Sequence, residues 1–506
     1  MNYFTIFLML LAAAAIGVFS AETPEVSNGE RLAKTVCASC HLFPEPALLP
    51  KATWEQIVLP QMGYQLGIYP KDSLRLRLIG HGPESDMIRQ AGLFPAEPLL
   101  TPAQWAQIGH YYKKYAPDTL AGHTRTEIQI GIPHFRTRLP DWQLSPPSTT
   151  MIRFQPAGGL WLGDANSRRL YWADDSLRLV KAANLAEGVV DIQERPEGLM
   201  VTLMGSFSPT DAPNGAVIFM NAHLPQAQIL LENLQRPVHS VWDDFNQDGK
   251  IDAVVCEYAK WTGGLNYYEQ QADGTFSKTA LRKRPGAIRS YVRDFNKDGL
   301  LDLIALFGQG DEGIFRYINL GNGRFKEEAI LRFPPTFGSS SFRLADVNGD
   351  GLEDIVHTCG DNADYRPVLK PYHGVRIFTA TGTGGYAETY FMPLHGAYDA
   401  IFKDFDADGD LDLAAISFFP DYLNAPQAAF QYLENTGNFN FLSYTFPEVG
   451  LGRWMVMDVG DLEGDGDLDI ALGPLTFEVA PDRGEVQRWV AGKLPFVVLE
   501  NTVMQK

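Results

Sequence analysis

Five copies of one short acidic segment, set at near-regular intervals, constrain the fold of this chain more than any other feature. The first holds Asp244, Asn246, Asp248, Gly249 and Asp252, and the second Asp294, Asn296, Asp298, Gly299 and Asp302. The third holds Asp346, Asn348, Asp350, Gly351 and Asp354, and the fourth Asp404, Asp406, Asp408, Gly409 and Asp412. The fifth holds Asp461, Glu463, Asp465, Gly466 and Asp469. Successive copies start 50, 52, 58 and 57 residues apart. A period of that length means a repeat architecture, each unit one supersecondary element that buries its apolar face against its neighbours.

Oxygen side chains at positions 1, 3, 5 and 9 of such a segment converge on one centre, with a backbone carbonyl at position 7. Glycine at position 6 allows the sharp turn around an ion. Hard oxygen donors in that number select Ca²⁺ over Mg²⁺. All twenty side chains at positions 1, 3, 5 and 9 are therefore candidate metal ligands. The net charge of −19 agrees with cation ligation, and without a basic stripe nucleic acid is excluded as a partner.

A short apolar strand follows each acidic segment, such as Ala253 to Val255 or Leu303 to Ala305. An aromatic strand and usually a glycine turn come next, as in Tyr267 and Tyr268 before Asp273 and Gly274. The aromatic strand also occurs earlier, at Leu170 to Trp172 and at Ile218 and Phe219, where Asp191 and Glu194 read as remnants of the acidic segment. A last copy is Phe496 to Leu499. Seven four-stranded units of about 50 residues make a closed β-propeller. The segments resemble the FG-GAP/VCBS repeats of integrin-like calcium propellers, over about 350 residues, departing in the first two units. The last unit is too short, so a strand from residues 128–150 is expected to complete it. Long insertions in the later units place His373, Lys370, Asp364 and Tyr365 on one rim as a candidate ligand site.

The N-terminal part carries a second signal. Cys37, Ala38, Ser39, Cys40 and His41 form Cys-x-x-Cys-His, the attachment motif of a c-type haem. Two thiols three residues apart reach both vinyl groups, and the histidine ligates the iron. Asn28 to Val36 reads as a helix leading into the motif. Thr53 to Met62 reads as a second, capped by Thr53. A third is capped by Thr101, opens at Pro102 and bears Trp105, Ile108, Tyr111, Tyr112 and Tyr115 on its apolar face. This arrangement resembles a class I cytochrome c, over about 90 residues. The resemblance implies a thioether as sixth iron ligand: Met62 first, Met87 as rival, with His81, His110 or an open position remaining.

Residues 4–19 are apolar, and small residues follow around Ser20 and Ala21, which reads as a secretory signal peptide. Cys256 and Cys359 follow acidic segments of non-adjacent repeats and are expected as buried free thiols rather than a disulfide. The expected organisation is a signal peptide over 1–21, a small all-α cytochrome c domain over 24–118, a linker over 119–150 and an all-β propeller over 151–506. The function this implies is electron transfer by an exported, periplasmic or secreted haem protein. Haem c and Ca²⁺ are its cofactors and a redox protein its partner, with no membrane integration once the signal is cleaved. Two alternatives stay open: a propeller oxidoreductase acting on a carbohydrate-like small molecule with haem as electron acceptor, and an adhesion or carbohydrate-binding module with an auxiliary haem.

Overall fold

The computed structural model describes residues 27–122, 127–221, 227–363, 368–437, 439–476 and 482–504. The expected signal peptide lies outside them, as do Asp364 and Tyr365. No helix among the described residues is long and apolar enough to cross a membrane.

A small helical region comes first. Helix α1 (Asn28–Cys37) starts at Ser27, whose hydroxyl accepts from the Glu30 N–H at 3.1 Å. Next, α2 (Lys51–Thr53), a π turn (Trp54–Val58) and α3 (Leu59–Gln65) run on without a break. Thr53 is therefore inside a helix (φ −66°, ψ −43°) and not its cap. The entry lies at Pro50, which is extended, and the Lys51 N–H donates to the Pro117 carbonyl at 2.7 Å. Pro60 has no N–H to give the carbonyl one turn back, and the wider turn just before it accommodates that loss. Helices α4 (Asp72–Ile79) and α5 (Glu84–Gln90) have no clear sequence signal. In α4 leucine alternates with arginine from Leu74 to Leu78, the period of a strand rather than a helix. Helix α6 (Pro102–Tyr115) opens with a capping box between Thr101 and Gln104. It buries Ile108, Tyr111 and Tyr112, while Tyr115 stays half exposed.

Helices α1 and α6 cross at Gly29. A Cβ there would stand 2.4 Å from the Gln107 carbonyl oxygen and 3.2 Å from Tyr111 Cβ, so only glycine lets the two backbones approach. Ala33, Leu49, Trp54, Leu59, Ile108, Tyr111, Tyr112 and Ala116 form the core of this region.

The rest of the chain is a seven-bladed β-propeller. The inner strands are Thr149–Phe154, Val189–Arg195, Pro237–Asp243, Ala287–Arg293, Ser339–Ala345, Ala397–Lys403 and Trp454–Gly460, for blades one to seven. Neighbouring inner strands contact one another all the way round the ring. The second strands of blades three to seven are buried at every position and, after an initial aspartate, mostly apolar. The aromatic strands of the sequence are the third strands. Most core clusters join adjacent blades, so each unit completes its core against the next.

The chain closes the ring by borrowing. Phe135–Arg138 pairs antiparallel with Val497–Asn501 as the outer strand of blade seven. Gln129–Ile130 adds a fifth, parallel strand to blade six. The segment expected as a linker thus supplies strands to the last two blades. In blade two, Pro196 and Glu197 alone connect the first and second strands, so Asp191 belongs to the inner strand and is no remnant of an acidic loop.

Each acidic segment joins the inner strand of its blade to the second strand, so all five lie on one face, the lower. The insertions join second to third strands and lie on the opposite, upper face. The helical region packs on that upper face. Phe94 meets the Trp261 ring edge-on at 5.3 Å between centroids, and the Tyr372 hydroxyl donates to the Leu48 carbonyl at 2.8 Å.

Candidate functional site

Two sets of side chains can hold groups the chain itself lacks. In each acidic loop the position-6 glycine has φ between 84° and 98°, the left-handed region. The residue at position 4 (Gln247, Lys297, Gly349, Ala407 or Gly464) also has positive φ. This double reversal folds the loop over its first carboxylate. Asp244 accepts from the Asp248 and Gly249 N–H groups at 3.0 and 2.8 Å, and Asp294, Asp346 and Asp461 repeat the pattern.

The loops differ in what meets the position-5 carboxylate. In blade three the Lys250 ammonium lies 2.5 Å from Asp248 Oδ2. In blades four and five the amides of Asn296 and Asn348 donate to Asp298 and Asp350 at 2.8 and 3.1 Å. Among the described residues no side chain donates to Asp408 of blade six, and that carboxylate takes only the Asp410 N–H, at 2.9 Å. Carboxylate oxygens of Asp404, Asp406 and Asp408 lie within 4.8 Å of one another. Buried oxygens of Asp404 and Asp410 have no hydrogen-bond partner among the described residues. Burial and the neighbouring carboxylates push the Asp406 and Asp410 carboxyls up. A buried oxygen without a donor is unfavourable, and this donor set suits a divalent cation such as Ca²⁺. In blade seven Glu463 stands at position 3 and its Oε2 is buried with no hydrogen-bond partner among the described residues. One of its oxygens lies 3.5 Å from Arg138, and burial together with Glu500 raises its carboxyl to about 8.

The position-9 aspartates have a role the sequence did not reveal. Asp252, Asp302, Asp354, Asp412 and Asp469 are fully buried. Asp302 accepts the Phe295 N–H on one oxygen and the Asn319 N–H on the other, at 3.0 and 2.7 Å. Asp354, Asp412 and Asp469 repeat this double strap between loop and third strand. Asp252 takes the Tyr267 hydroxyl and the Gln270 N–H. Only spare lone pairs of these oxygens remain for an ion. Aspartate at the start of a mostly apolar strand was the sequence signal for this role.

The second set lies where α1 ends. Cys37 is its last residue and is half-buried, while Cys40 is exposed in the following turn; neither forms a disulfide. Burial pushes the Cys37 thiol up to about 11, against a lowering hydrogen bond with Tyr112. The half-buried His41 places Nδ1 2.9 Å from the Leu42 carbonyl oxygen. A carbonyl there only accepts, so Nδ1 carries the proton and the Nε2 lone pair is left for a metal, the arrangement of a metal-ligating histidine. Trp54 and Tyr112 tie down the next residues by donating to the Pro46 and Pro44 carbonyls, each at 2.9 Å. The donor set therefore fits an attached haem.

Met62 is half-buried on α3 beside Gly63, over which the Trp105 ring packs. Met87 faces the propeller instead, its sulfur accepting from Gln235 at 3.3 Å. His81 and His110 are exposed. On the upper rim, His373 and Lys370 are buried rather than open to a ligand, and Lys370 donates to the Thr336 carbonyl at 2.9 Å. Cys256 and Cys359 are free and buried.

The profile of the FG-GAP-like repeat family matches residues 244–305, 294–357 and 404–472. No curated protein sequence matches the chain. Among solved structures, BBS1N from its complex with ARL6DN is 11% identical, with a TM-score of 0.44, covering 73% of this chain and 97% of that one. A streptogramin B lyase is 13% identical at a TM-score of 0.44, covering 72% and 98%. The periplasmic gluconolactonase of Pseudomonas aeruginosa is 15% identical at 0.39, covering 60% and 85%. Likenesses of this size say nothing of ligand or activity.

Proposed function

We propose that this chain is an exported c-type haem protein that transfers single electrons, its propeller held by calcium and docking a redox partner or ligand. The observation that carries the reading is the end of α1: two thiols and an imidazole within five residues, the ring oriented by the Leu42 carbonyl. Cys37 and Cys40 would attach the group, His41 would ligate its iron and Met62 would be the sixth ligand. Haem bound in this way supplies one-electron redox chemistry. Trp54 and Tyr112 hold the segment after the motif. Asp404, Asp406 and Asp408 are the leading calcium ligands, with the other loops as further sites. The packing of the helical region on the upper face supports a role in which haem and propeller keep a constant relation. Attachment of c-type haem outside the cytoplasm agrees with a periplasmic or secreted protein.

The test is Cys40→Ser in cells competent for haem attachment. It is expected to abolish the c-type pyridine haemochrome, and a wild-type spectrum in the variant would sink the reading. Reduction of the haem by an added sugar in turnover amounts would replace electron carriage with the oxidoreductase alternative.

A further inference from the structure

The propeller axis carries a girdle of charge contributed by six of the seven inner strands. Arg153 lies 3.5 Å from Asp191 and 3.8 Å from Asp458. Arg343 lies 2.5 Å from Asp399, which also accepts from Ser341 at 2.8 Å. His239 stands 4.0 Å from Asp191 and accepts the Ser290 N–H at 3.4 Å. These groups sit in the middle of the ring, yet the Arg153 side chain keeps 44% of its surface accessible and that of Arg343 22%, so the axis is an open, polar channel.

Arg289, at the third position of the blade-four inner strand, is the exception in this girdle. Among the described residues no carboxylate lies within ion-pair distance of it. Its one hydrogen bond is a long one, 3.5 Å from Nη1 to the Tyr291 hydroxyl. The nearest acids are already engaged, Asp399 by Arg343 and Ser341, and Asp191 by Arg153, the Ser240 N–H and His239. Arg289 is partly accessible to the channel; apart from the Tyr291 contact its donors are unspent, and Asp399 and Asp191 act on it only from beyond ion-pair distance. Its planar fork matches an oxyanion bidentately.

We propose that the channel binds one small carboxylate-type oxyanion on Arg289, flanked by Tyr291 and His239. The Tyr291 hydroxyl donates to the Phe342 carbonyl at 3.2 Å, which fixes it beside the site. Burial holds His239 well below the ordinary imidazole value, at about 4, so it flanks the anion as a neutral ring. Haem and calcium play no part in this site.

The test titrates ¹³C-acetate into the full-length, metal- and haem-loaded protein. The readouts are the acetate line width and the thermal midpoint, in a buffer without other oxyanions. One saturable site is expected, with a midpoint that rises with acetate concentration. Arg289→Gln is expected to weaken acetate uptake at least tenfold and to remove the acetate-dependent rise, while its acetate-free midpoint stays at or above wild type. Arg289→Lys keeps the charge and loses the fork; it is expected to bind several-fold more weakly and covers a failure of the glutamine variant to fold. No saturable uptake by the wild type, or uptake unchanged in whichever Arg289 variant folds, overturns the proposal.

Discussion

Glu312, on the upper face of blade four, shows what burial does to a single carboxyl here. It is 1% exposed and accepts the Gly338 and Ser339 N–H groups at 3.2 and 2.9 Å. Burial still outweighs those bonds and raises its carboxyl to about 8 from an ordinary 4.5. Between those values the folded state holds more protons than the unfolded one, so this group makes stability fall as pH rises through that window. Urea midpoints at pH 5, 6.5 and 8 are expected to fall less steeply in Glu312→Gln than in wild type; equal slopes would dismiss the role. Lys370 and His373 carry the same lesson. Their residue types suggested an open ligand site, but a charged side chain reads as exposed in a sequence unless its partners are known. Here the partner is a carbonyl, Thr336, 34 residues away.

At the scale of the element, the acidic loops were legible because their chemistry is local: nine residues contain both the glycine turn and the oxygens. What the pattern hid is a division of labour within those nine. Asp298 is exposed, while Asp302 is fully buried and strapped to two N–H groups. In EDTA, Asp302→Ala is expected to destabilise by about 3 kcal/mol, because it orphans two buried donors. Asp298→Ala is expected to stay within about 0.5 kcal/mol there and to matter only when calcium is present. Denaturant melts with and without calcium separate the two, and equal losses in EDTA would refute the division. In blade six, Asp404→Asn is expected to reduce the calcium-dependent rise in melting temperature. The α1–α6 crossing is just as specific: Gly29→Val forces a side chain into the Gln107 carbonyl and is expected to cost about 2 kcal/mol in the helical region. Helix α4 was missed because its leucine–arginine alternation mimics a strand, and only packing of Ile79 with Ile88 and Phe94 settles it as a helix.

The whole molecule depends on a closure that no local window of sequence contains. The number of blades was legible from the repeats. The axial girdle was not, because its members are spread from Arg153 to Asp458 and meet only when the ring shuts. The outer strand of blade seven comes from Phe135–Arg138, more than 350 residues before its partner Val497–Asn501. Arg136 fastens it to the buried Glu500 through two hydrogen bonds of 2.7 and 2.5 Å. A ring whose units share their cores loses the support of both neighbours when one blade opens, so closure should govern the stability of all seven. Arg138, paired with Val498 in this ladder, tests that. The Thr502 N–H donates to the His134 carbonyl, so the alternation makes 138 and 498 a hydrogen-bonded pair. Arg138→Pro therefore removes a ladder donor and is expected to lower the melting temperature of the propeller as one cooperative transition. If blade seven instead melts early and alone, followed by a separate transition at the wild-type temperature, the blades are independent and closure is not what holds the ring.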